Sequence, residues 1–189
     1  MAYIGLAQAI IAKLEDEKEK TYTKGFECGE AMETTITPNE NAAELPGNNR
    51  IVESVKEFKN ATLKIGTTRL PVEADEVIFG RKASEGGSMV YSINDVANYV
   101  GYGCYVCEIV HNVRSFVAIW IYKCMFSEPE GGYKTKGNSI EFVTPELNGT
   151  AVTLESGEWM EKSKFASEAE AVAWLKEKAG MTPEPPAEL

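Results

Sequence analysis

The stretch from Tyr99 to Phe126 constrains this chain more than any other. Two runs, Tyr99–Val110 and Val113–Phe126, are rich in Val, Ile, Phe, Tyr and Trp, the residues that fit a pleated, half-buried surface. Between them His111-Asn112 stands where a tight hairpin turn is needed, and asparagine tolerates the left-handed backbone of such a turn. In the second run the period of two puts Phe116, Ala118, Trp120, Tyr122 and Cys124 on one face. It puts Val117, Ile119, Ile121 and Met125 on the other. A strand that is apolar on both faces has to be covered on both. It belongs inside a sandwich or barrel, or against another subunit.

The remaining chain supports a mainly β reading. Ala61, Leu63 and Ile65 alternate with Thr62 and Lys64, the pattern of a half-buried strand. Gly25 to Thr37 reads as extended and ends at Thr37-Pro38, since proline blocks a central ladder. Ile4, Ala7, Ile11 and Leu14 recur at helical spacing, while Tyr3-Ile4 and Ile10-Ile11 equally suit a two-sided strand, so period alone leaves residues 4–14 open. The charged Glu15–Lys20 stretch reads as an exposed turn.

Asn39 to Arg50 contains Pro46-Gly47 and Asn48-Asn49 and reads as a long polar loop. Glu73 to Phe79 fits one short helix closed by Gly80, and Gly86-Gly87 marks a turn. After a Gly-rich loop, Glu128 to Gly137, two strands are predicted at Ser139–Thr144 and Thr150–Leu154, separated by Pro145 and the Asn148-Gly149 turn signal. Ser167 with Glu170 three residues later forms a capping box ahead of Ala171, Trp174, Leu175 and Lys178, and Gly180 supplies the stop. Residues 1–180 thus read as a single domain of α+β, mainly β class. Residues 181–189 read as a flexible Pro/Glu-rich tail.

The chain has 189 residues and a formal net charge of −10. That balance speaks against a nucleic-acid binder, because Lys and Arg neutralising phosphate supply most of that affinity. It speaks equally against docking on anionic lipid. No apolar run reaches membrane-span length, and the N-terminus lacks signal-peptide features, so folding in a cytoplasm is expected.

The chemistry-bearing motifs are thin. Cys104 and Cys107 are three apart in a predicted strand and point to opposite faces, which is poor geometry for a shared metal. His111 is the single histidine, and in a hairpin turn its bland reading is a solvated loop residue. No GxGxxG, Walker-type or HExxH motif and no nucleophile elbow occurs. No catalytic residue, metal site or cofactor is therefore expected, and the chain is not expected to be an enzyme.

Several stretches, in order along nearly the whole chain, resemble the major tail proteins of siphophages. They include Tyr3-Ile4-Gly5-Leu6-Ala7, Ile36-Thr37-Pro38-Asn39, Glu53–Asn60, Leu63–Thr68, Val77-Ile78-Phe79-Gly80, Tyr99–Gly103, Ala118–Lys123, Tyr133–Gly137 and Ala173-Trp174-Leu175. The resemblance implies a tail-tube-type β-sandwich or barrel with a flanking C-terminal helix, a long inter-strand loop and an N-terminal arm. That likeness tips residues 4–14 towards a strand.

The resemblance further implies a structural virion protein, assembled in the host bacterial cytoplasm. Hexameric rings of it would stack into a tail tube through which DNA is ejected without specific binding. Its implied partners are further copies of itself, a tape measure protein, and the tail terminator and distal tail proteins. A ring-stacking role is implied for the loop residues Asn39, Glu40, Asn41, Leu45, Pro46, Asn48, Asn49 and Arg50. The alternatives are a β-sandwich binding or adhesion module on a virion, favoured by exposed aromatics at Tyr91, Tyr99 or Tyr133, and the inner tube of a contractile injection machine.

Overall fold

The computed structural model of the chain describes residues 2–84, 88–131 and 144–181. In chain order the elements are β1 (Ala2–Asp16), β2 (Thr21–Glu27), β3 (Ala31–Gly47), β4 (Arg50–Thr67), α1 (Glu73–Val77), β5 (Lys82–Ala83), β6 (Met89–Val90), β7 (Val100–Val110), β8 (Val113–Phe126), β9 (Glu146–Ala151), β10 (Met160–Phe165) and α2 (Glu168–Lys178). Seven strands form one path, β2-β1-β7-β8-β9-β4-β3, and β10 joins it by pairing with β8. All of these pairings are antiparallel. β5 and β6 make a separate short hairpin. The class is α+β, mainly β, with a helix at the C-terminal end of the described chain.

Local chemistry accounts for most of these elements. His111 and Asn112 adopt φ of 49° and 64°, so the β7–β8 hairpin closes on the two-residue turn that its sequence predicts. The N-terminal segment is a strand. Ile10 and Ile11 are both fully buried but in different hydrophobic clusters, which a strand achieves by sending neighbours to opposite faces. The Ser167 hydroxyl accepts from the Glu170 N–H, and the Glu170 carboxylate accepts from the Ser167 N–H, completing the capping box of α2. Gly80 and Gly180 close their helices at positive φ.

Other expectations need correction. Cys124 does not share a face with Phe116, Ala118, Trp120 and Tyr122. Val100 pairs with Cys124 while Tyr102 pairs with Ile121, so β8 carries one extra residue there. The bulge flips the alternation, and Cys124 and Phe126 join the side of Ile121, while Met125 points outward. The Asn148-Gly149 pair is no turn but lies inside β9. A Cβ at Gly149 would sit 2.5 Å from Phe126 Cδ1 and 2.7 Å from the Met125 carbonyl oxygen, so the glycine makes room for a ring. That strand spans Glu146–Ala151 rather than Thr150–Leu154. Gly86-Gly87, residues 139–143 of the predicted Ser139–Thr144 strand, Tyr133, and the tail from Thr182 onward lie outside the described residues.

Two cores flank the sheet. On one side Leu63, Ile65, Tyr102, Cys104 and Ile121 pack with Ile11 and with Ala74, Val77 and Ile78 around α1. The sheet curls so that β3 comes to lie near β1, and Thr34 Oγ1 meets the Tyr102 hydroxyl at 2.5 Å. On the other side α2 lays Ala171 and Leu175 over Ile10, Tyr22, Tyr105, Trp120 and Tyr122. Tyr22 meets Trp120 edge-on, with ring centroids 5.1 Å apart, and donates its hydroxyl to the Tyr122 carbonyl oxygen at 2.8 Å. The two-sided apolar strand β8 is therefore covered on both faces by its own chain. It gives no reason, by itself, to expect a neighbour.

Candidate assembly surfaces

The segment expected to be a loop, Asn39 to Arg50, is half of a long β-hairpin. β3 and β4 pair from Ala31↔Thr67 out to Gly47↔Arg50, and the turn is Asn48-Asn49 with φ of 50° and 59°. The turn residues were legible, but the ladder on either side was not. Pro38 pairs opposite Ala61 within β3. This is possible because β3 is the last strand of the sheet, where a missing N–H can face solvent.

Beyond the body the hairpin is bare. The residues from Thr37 to Glu57 are exposed, Gly47 aside, and β9 pairs with β4 at Ala61–Gly66. The projecting ribbon has about ten residue pairs and a reach of roughly 30 Å at strand rise. Its root is pinned. Asn39 Nδ2 donates to Asn60 Oδ1 at 2.9 Å and to Thr62 Oγ1 at 3.0 Å. The Phe58 ring stacks on Trp159 at 4.7 Å, with the planes 15° apart. Farther out, Glu40 meets Lys56 at 3.6 Å.

Of the predicted stacking residues, Asn39 thus sits at the root, Glu40 and Asn41 on the shaft, and Leu45, Pro46, Asn48, Asn49 and Arg50 at or near the tip. Sequence reasoning missed the returning strand, where Ile51, Val52 and Val55 are 58%, 60% and 46% exposed, alongside Leu45 at 59%. Their β-branched character was the available signal.

Besides the outer sides of the terminal strands β2 and β3, two further edges stand open among the described residues. β2 pairs with β1 from Ile10 onward, leaving the outer edge of residues 2–8 bare, with Tyr3 and Ile4 exposed. β10 pairs with β8 on one side. Near that end Glu108 is buried and is held below the ordinary glutamate range by the hydrogen bond from Lys164 Nζ at 2.5 Å, with Ser115 donating as well.

The candidate chemical groups are dispersed. Cys104 lies in the core beside Tyr102, whereas Cys107 pairs opposite Phe116 and points the other way. All four cysteines are free thiols, and burial pushes Cys28 up to about 12 and Cys104 up to about 11. His111 is an exposed turn residue. Tyr91 and Tyr99 are exposed, yet each ring already carries a cation, Arg81 at 3.8 Å and Lys123 at 4.6 Å from the respective centroid. Among the described residues no group of three or more His, Cys, Asp or Glu is placed to hold a metal ion. Comparison with known proteins finds no family model and no curated protein that matches the chain.

Proposed function

We propose that this chain is the repeating subunit of a phage tail tube, a tail-tube-type β-sandwich or barrel whose copies close into rings and stack into a conduit for DNA. One observation carries the reading: the β3–β4 arm. A two-stranded ribbon is marginally stable in water by itself, and open strand edges invite pairing. A free-standing protein gains nothing from holding Leu45, Ile51, Val52 and Val55 out into solvent. In a stack the same ribbon gains a neighbour that covers those side chains.

Ring closure has a candidate as well. β1, β7, β8 and β10 are successive antiparallel neighbours, so β10 runs opposite to β1. Pairing of β10 in one copy with the open part of β1 in the next would continue the antiparallel alternation around a ring. The lysines Lys162 and Lys164 on β10 are residues that discourage indiscriminate edge pairing. This makes the arm, rather than the edges, the stronger support. The net charge of −10 suits a passage that DNA must cross without adhering, since acidic walls offer no counterion-release gain. The tape measure, tail terminator and distal tail proteins are the partners this reading entails.

Electron microscopy of the purified protein at rising concentration tests the proposal. Stacked rings or tubes are the expected product. A protein that stays a monomer at every concentration and never copurifies with virions overturns it.

A further inference from the structure

The tip of the arm and a groove on the body lie at opposite ends of one strand. β4 begins at Arg50 in the tip and ends at Thr67, about 17 residues and roughly 55 Å away at strand rise. Thr68, Arg69 and Leu70, just past that end, line one hollow together with Arg81, Tyr91 and Glu128, and the last three residues also line a neighbouring hollow of about 430 Å³ between the residues after α1, the connection from β6 to β7, and the end of β8 with the residues after it. Arg81 forms its floor. The guanidinium lies over the rings of Phe79 and Tyr91, at 4.6 and 3.8 Å from their centroids, and pairs with Asp75 and Glu128. Ile93 stands on the rim 100% exposed. Asp95 beside it accepts the Ser92 N–H at 2.8 Å.

Ile93 is fully solvated and Tyr91, which lines the same hollow, is exposed, so a neighbour that covered them would remove apolar surface from water. The tip is too distant to fold back onto its own groove, yet the two surfaces are complementary. The tip carries apolar Ile51 and Val52 with a single cation, Arg50, and the groove carries apolar Ile93 and Tyr91 with the carboxylate of Asp95.

We infer that the arm tip of one copy docks in this groove on the next copy, with Ile51 and Val52 against Ile93 and Tyr91, and Arg50 towards Asp95. A contact between two different surfaces of one subunit is heterologous, and it propagates as an open line when its rotation does not close a ring. This is the geometry of axial stacking. The inference rests on the tube reading and adds the identity of the receiving surface.

Paired cysteines test it, in a Cys107→Ser background that removes the half-exposed native thiol. Val52→Cys and Ile93→Cys are made in separate chains, both at exposed positions that leave the monomer fold intact. Mixed and oxidised under assembly conditions, the two chains should give a covalent heterodimer, and either chain alone should not. Placed together in one chain, the substitutions should give a ladder of covalent multimers. In parallel, Arg50→Glu or Asp95→Arg alone should raise the concentration needed for assembly by roughly three- to tenfold, and the double exchange should recover most of it. Normal tubes with no Val52→Cys to Ile93→Cys cross-link and no charge rescue overturn the groove assignment and leave the tube standing. A wild-type protein that never assembles overturns both.

Discussion

Trp120 is fully buried and has the space beside it because Gly101 and Gly103 have no side chains. A Cβ at Gly103 would lie 2.5 Å from Trp120 Cε3 and 2.9 Å from Leu175 Cδ2, and neither group can retreat, since both are enclosed. Gly103→Ala should therefore cost about 1–3 kcal/mol as an overpacking change and lower Tm by roughly 3–9 °C for a domain of this size, measured by calorimetry. An unchanged Tm would show that the packing of Trp120 against α2 yields to the added methyl group. Four carboxylates make a second residue-level prediction. Glu17, Glu108 and Glu158 are held below the ordinary glutamate value of 4.5 by hydrogen bonds from Lys123, Lys164 and Lys20. At Glu161 burial pushes upward, and the bonds from Lys178 and Tyr122 outweigh it. Because the folded-state values are depressed, the stability these groups contribute is fully present above about pH 4.5. It is lost as pH falls through the lower folded values. Thermal melts should be level from pH 7 to 5 and fall steeply below, and a Tm that holds constant to pH 3 would refute the linkage. At this scale the sequence was legible where a residue type has one dominant use, as with His111-Asn112 and the Ser167–Glu170 box. It misled at Asn148-Gly149, because the same glycine that permits a turn also permits a ring to approach a strand, and only the packed partner Phe126 decides between them. At Cys124 the bulge changed the face, and nothing in the local pattern announces an extra residue.

The elements divide in the same way. β7, β8 and α2 were readable because burial imposes a period on their side chains. The arm was not, because a ribbon exposed on both faces carries no burial pattern, and its Pro, Gly and Asn residues then dominate the reading. β10, with Glu161, Lys162 and Lys164 in six residues, was missed for the same reason, as a half-exposed edge strand has little apolar alternation to show. The arm's exposure gives a direct prediction. Removing Asn39–Arg50 alone would strip one strand and leave its partner unpaired. Replacing residues 41–57 symmetrically with Asn-Gly should instead keep the hairpin closed and leave the melting temperature of the monomer within about 1–2 °C, since no buried apolar contact is lost. The shortened protein should fail to stack, as seen by analytical ultracentrifugation and electron microscopy. Tubes of ordinary length from this variant would remove the arm from any assembly role.

At the scale of the whole molecule, the cores and the exposed surfaces proposed for assembly are separate. The sheet buries β8 on both sides with its own chain, so the fold does not borrow cover from a neighbour, whatever the doubly apolar run suggests when read alone. The ribbon leaves the body at a bulge, where Lys59 is the extra residue between the Asn39↔Asn60 and Glu40↔Phe58 pairs, and its root is fastened by Phe58 on Trp159. A two-stranded ribbon is easily flexed normal to its plane, whereas the double-cored body is not. In a chain of such units, deformation would concentrate in the struts and spare the blocks. A filament built this way would curve and recoil like a segmented hose, its bore held constant by rigid collars.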